Sequence, residues 1–211
     1  MTRAARLLPF LAVALSAQAP LQFQGRNVVL TEGATDASGA LTPASVCVEW
    51  EEQAQCYRTP QGYGRSPEAT VVRISKDLEA LLFSIATNGT TDYGIHFALL
   101  TKGSGRELQD LFFATIEASN QSAHAQWTEP SLSASQIFIL ADYVWGPDES
   151  THEPHRYMIS AYVRKFTAAF DTPHYYLQDR YMTARKYDPE KKQDILAAER
   201  AEILARLARI K

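Results

Sequence analysis

Between Ser45 and Lys186 turn-forming clusters cut the chain at short, regular intervals: TPQGYGRSP, TNGTTDYG, TKGSGR, ASNQS, EPSLSAS and WGPDES. Gly, Pro, Asn and Ser at such density stop any long element. The segments left between them have strand character at 45–50, 55–58, 70–75, 80–87, 94–101, 108–116, 123–127, 136–145, 155–165 and 174–186. This division predicts a mainly β fold: a two-sheet antiparallel sandwich or a flattened barrel over 45–187.

Two kinds of strand are present. GIHFALL, LFFATI and QIFILADYVW carry hydrophobes at odd and even positions, as strands covered on both faces do. RYMISAYV alternates, with Tyr157, Ile159, Ala161 and Val163 on one face and Arg156, Ser160 and Arg164 on the other. His96 and His124 fall inside such strands and read as hydrogen-bonded core groups.

The pattern changes at the end. Asp188-Pro189-Glu190 has the chemistry of a helix start, and 188–211 reads as an amphipathic helix. Leu196, Ile203, Leu207 and Ile210 form its apolar stripe, with Leu204 at the margin. The stripe must bury against the sheets, against a partner or against a second copy, so oligomerisation through this helix is one expectation.

At the other end, two arginines precede the apolar run Leu7–Ala17, which leads into Ala17-Gln18-Ala19. This is the form of a signal peptide over 1–19. Residues 20–44, rich in Gly, Ala, Thr and Ser, read as a flexible leader with one short strand at NVVL. No later run is long enough to cross a bilayer as a helix. The mature chain is expected in the periplasm or outside the cell. Without Arg3 and Arg6 it holds 19 basic residues against 24 acidic ones. A mildly acidic chain without a basic tract disfavours nucleic acid.

Cys47 and Cys56 are the chain's two cysteines. SVCVEW alternates, EEQAQ is polar and CYR resumes, which reads as a hairpin with the cysteines opposite each other. An oxidising compartment would join them, at about 2.5–3 kcal/mol for so short a loop.

Chemistry-bearing residues gather in WGPDESTHEPHRY. Asp148, Glu149, His152, Glu153 and His155 are ligand types for a divalent metal. The two histidines are three apart around Pro154, which is not the helical zinc-protease spacing. On extended backbone they point to opposite faces. The segment therefore reads first as a solvated turn between two strands, with a metal or ligand loop as the alternative. No nucleophile elbow, phosphate loop or dinucleotide glycine run is present.

Seven of the ten tyrosines lie between Tyr143 and Tyr187. Trp145, Tyr157, Tyr162, Tyr176 and Arg180 are the candidate ligand contacts, since Tyr and Trp offer area with a polar tip. The expected function is an exported, non-catalytic binding protein with a protein or carbohydrate partner. The alternative is a metal-assisted hydrolase acting on polysaccharide or cell-wall material, with Asp148 and Glu153 as an acid/base pair. No cofactor beyond a divalent metal is implied.

Overall fold

The computed structural model describes residues 20–35, 39, 41–60, 63–87, 94–133, 135–146, 149–150, 152–167, 172–188, 191 and 194–210. The signal-peptide segment 1–19 and Asp148 lie outside them.

The chain is mainly β with one C-terminal helix, and its strands form three antiparallel sheets rather than two. The first sheet contains β1 (Gln22–Phe23), β2 (Arg26–Thr31), β5 (Ser45–Glu49) and β6 (Ala54–Arg58), in that order. A two-stranded ribbon, β3 (Ala34–Thr35) and β4 (Leu41–Thr42), sits in the connection after β2. The second sheet contains β7 (Tyr63–Ser75), β8 (Leu78–Thr87), β9 (Gly94–Lys102) and β10 (Leu108–Asp110), with β11 (Ile116–Ser119) also paired to β9. The third is a meander of β12 (Ala123–Trp127), β13 (Ile137–Val144), β14 (Arg156–Lys165) and β15 (His174–Met182). Among the described residues no sheet closes into a barrel.

The side-chain period of two decides how the sheets stack. In β8, Leu81, Phe83 and Ile85 face the first sheet and pack with Phe23, Val46 and Val48. Ala80 and Leu82, one residue out of phase, pack with Phe138, Leu140, Tyr162 and Tyr175 of the third sheet. Strand β13 repeats this, with Ile137, Ile139 and Ala141 on its far face against the helix. The result is four layers, sheet on sheet on sheet on helix. Two of the three runs apolar on both faces, GIHFALL and IFILADYV, are strands of the two inner layers, whereas LFFATI is not a continuous strand. Each fully buried Leu, Ile or Phe contributes about 1.5–3 kcal/mol.

The described part of 20–44 carries paired strands rather than a loose leader. Val28 and Leu30 alternate inward from β2, which pairs with β5, and Phe23 is fully buried. The expected strand 108–116 is broken. Asp110 Oδ1 accepts from Leu99 N at 3.0 Å and from Phe112 N at 2.9 Å. The chain then crosses to the third sheet, where Tyr175 N donates to Leu111 O and Phe113 N to Tyr175 O. Only after this stitch does β11 return to β9.

The helix, α1 (Ile195–Arg209), starts later than the cap chemistry at Asp188 suggests. Its N-cap is Asp194, whose side chain accepts from Ala197 N at 2.9 Å. Asp188 instead closes a separate turn, with Lys191 N donating to Asp188 O. Leu196, Ile203 and Leu207 are buried on the third sheet, whereas Ile210 is exposed at the helix end. Arg206 grips Asp179 of β15 through two nitrogens. Glu199, turned inward, accepts from the Tyr181 hydroxyl at 3.0 Å and from the Tyr187 hydroxyl.

Cys47 and Cys56 face each other across β5 and β6 and are joined. Gln55, beside Cys56, donates to Gly103 O and Gly105 O and ties the 103–105 turn to this hairpin. His96 is a core group as expected. Its Nε2 is 2.7 Å from the Tyr57 hydroxyl, and burial lowers its pKa to about 4, so it is neutral at pH 7.

Candidate functional site

The 146–155 loop turns back because Glu149 folds under it. Glu149 N donates to Gly146 O, and Glu149 Oε2 accepts from Gly146 N at 2.9 Å. A Cβ at Gly146 would lie 2.6 Å from the Glu149 carboxyl carbon, so a larger residue there would displace the Glu149 side chain from its place under the loop. His155 is 0% exposed. Its backbone bridges to Tyr187 in both directions, which draws the loop's end into the third sheet.

A polar chain runs beneath the loop. Lys186 Nζ bonds Glu149 Oε1, and Glu149 Oε2 is 3.1 Å from His155 Nδ1. His155 Nε2 is 2.8 Å from the Tyr143 hydroxyl. With the proton on Nδ1, the ring donates to Glu149 and accepts from Tyr143. Lys186, His155 and the Gly146 amide hold the Glu149 carboxyl down at about 2. It is therefore a carboxylate at any ordinary pH.

Of the five candidate metal ligands, the four described ones split into a pair and two exposed side chains. His155 points inward and pairs with Glu149, whereas His152 and Glu153 are exposed. Glu153 Oε2 accepts from Ser150 N at 3.3 Å. Asp148 lies outside the described residues. Among those described, no three His, Cys, Asp or Glu side chains gather as a metal-holding group.

The expected aromatic surface divides in the same way. Tyr157 and Tyr162 are buried, on opposite faces of β14, Tyr157 towards the helix and Tyr162 towards the second sheet. Neither presents a surface to a ligand. The strand period, which splits tyrosines over two faces, accounts for this. Tyr176 is half-buried and stacks on the exposed Phe113 at 4.7 Å. Arg180 is exposed and donates to Ser160 Oγ at 3.1 Å.

Of the candidate aromatics, Trp145 is the one left in the open, at 48% exposure. Its ring meets Tyr143 edge-on, 5.1 Å away at 80°, and lies tilted 6.2 Å from His155, so it rests against two members of the polar chain. Beside it opens a cleft of about 330 Å³, lined by Gly94, Glu117, Ser119, Asn120 and Asp142 with Trp145. The cleft forms where β11 of the second sheet meets β13 of the third, joined by Ser119 N donating to Asp142 Oδ1 at 2.8 Å. Sequence reasoning passed over Glu117 and Asp142. The available signal was Asp142 itself, a lone carboxylate inside the otherwise apolar run IFILADYV.

A larger polar cleft of about 630 Å³ opens beside Lys102, Glu107, Gln109 and His174. It has no exposed aromatic platform among its described lining residues.

No protein-family model, curated protein or solved structure matches this chain. Any functional reading rests on the residues above.

Proposed function

We propose that this is an exported, non-catalytic binding protein whose ligand surface is the Trp145 cleft. The observation that carries the reading is an exposed indole ring packed on Tyr143 beside carboxylate and amide side chains. A large apolar ring normally lies inside, and one left in the open in a polar cleft has the makings of a binding anchor. The Lys186–Glu149–His155–Tyr143 chain has residue types found in proton relays. Its histidine is sealed from solvent, however, and its ring lies beside Trp145. The apolar N-terminal run and the Cys47–Cys56 disulfide support export. No helix among the described residues is long and apolar enough to cross a membrane.

The test is an array of glycans and peptides probed with the oxidised protein and with Trp145→Ala. Signals that vanish in the variant, at unchanged circular dichroism, support the reading. An array without signals, or signals indifferent to Trp145, overturns it.

A further inference from the structure

We propose that the Trp145 cleft takes an organic ammonium group, with the indole ring as its platform and Glu117 and Asp142 as its counter-charges. This rests on the reading of the cleft as the ligand surface and adds the charge of what binds there.

Both charged side chains that line the cleft are acids, and no lysine or arginine is among its described lining residues. Glu117 and Asp142 form no salt bridge within the described structure. One oxygen of Asp142 is engaged by Ser119 N and anchors the two sheets together. The cleft thus carries negative charge that the fold does not neutralise locally. Two such carboxylates are costly to cover with an uncharged ligand, because they lose water without gaining a counter-charge. A ligand that brings a positive group offsets that cost.

The ring beside them selects the kind of cation. Indole is the strongest aromatic partner for a cation placed over its face. The attraction suits ammonium groups on a carbon frame, which stack and exclude water. Calcium is a poor match, because it takes six to eight oxygen ligands. Here two carboxylates line the cleft, and among the described residues no third His, Cys, Asp or Glu joins them. A neutral sugar could stack on the ring but would leave the acids unmatched. The cleft volume, about 330 Å³, admits a headgroup or a single sugar unit rather than a folded domain. The net acidic charge of the chain adds a long-range bias in the same direction.

Two sources can supply this group, a free quaternary amine or an amino sugar, and the probes separate them. Choline chloride, glucosamine hydrochloride and N-acetylglucosamine are titrated calorimetrically into the full chain at low salt. Binding of choline and glucosamine without N-acetylglucosamine is expected, and glucosamine alone would assign the site to amino sugars. Trp145→Ala and the double variant Glu117→Gln/Asp142→Asn should each weaken binding about tenfold or more. Trp145→Phe, which keeps a ring, should retain most of it. Added salt should weaken the interaction, since the carboxylates lie in an open cleft.

Equal binding of N-acetylglucosamine and glucosamine would overturn the ammonium assignment. So would affinity unchanged in the double variant, or failure of both cations to bind. In each of these cases a Trp145-dependent array signal would leave the binding-protein reading standing. Loss of that signal too would remove both.

Discussion

Asp110 shows how a single carboxyl can couple a fold to pH. Burial raises its pKa to about 7, against the pull of two backbone amides that favour the charged form. An unfolded aspartate releases its proton near 4. Between those values the folded state holds more protons than the unfolded state, so this group lowers stability as pH rises from about 4 to about 7. Asp110→Asn keeps an oxygen for Leu99 N and Phe112 N and removes the titration. The variant should be more stable than the parent at pH 8, by on the order of 2–4 kcal/mol. The gain should shrink towards pH 4. Thermal midpoints across that range measure it, and a difference independent of pH would show that the carboxyl ionises freely in the fold. Glu149 is the opposite case. Its depressed pKa means its pairing with Lys186 and His155 persists until the solution is far more acidic than any in which Asp110 responds.

At the scale of elements, the helix is held by one polar cluster as well as by its apolar stripe. Glu199 accepts from two tyrosine hydroxyls and lies 3.7 Å from Arg185 Nε. Glu199→Ala strips partners from two largely enclosed phenols and should cost about 2–4 kcal/mol. Glu199→Gln keeps an accepting oxygen and should cost about half as much. Urea unfolding of both variants checks this, and equal losses would assign the effect to charge rather than to accepted hydrogen bonds. The alternation of hydrophobes was enough to place most strands within a residue or two. It also marked the strands that have no wet face. It could not say what covers them, because a period of two assigns a face and not a partner, and so three sheets passed for two. The break at Asp110 was hidden for a related reason, since its amide partners are supplied by the strand edge. Asp188 and Asp194 both have cap chemistry. The choice between them is made where Ile195 and Leu196 first meet the third sheet. In the candidate site, parity separated His152 from His155, but the Trp145 cleft was not legible. It joins Glu117 to Asp142 across two sheets, and neither residue has a neighbour in the chain that announces the other.

For the molecule as a whole, stability is layered and should fail by layers. The disulfide clasps β5 to β6 in the outermost sheet, and Gln55 carries that clasp on to the turn after β9. Reduction, or replacement of Cys47 and Cys56 by alanine, should cost about 2–3 kcal/mol overall. Hydrogen exchange should locate the effect. Amides of β2, β5 and β6 should exchange faster after reduction, while those of β13 and β14 keep their protection. Uniform acceleration across all strands would mean that the four layers unfold as one unit.

The order of the layers is also the order of the chain: first sheet, second sheet, third sheet, helix. Most strands pair with a strand near them in the sequence, and such pairings form sooner than distant ones. A chain emerging N-terminus first therefore delivers each layer after the one it rests on. Every new sheet arrives to cover the apolar face its predecessor left open, and the amphipathic helix arrives last. Each open strand face waits only for the next sheet, which takes about sixty residues of chain. The sequence of construction is itself a protection against aggregation.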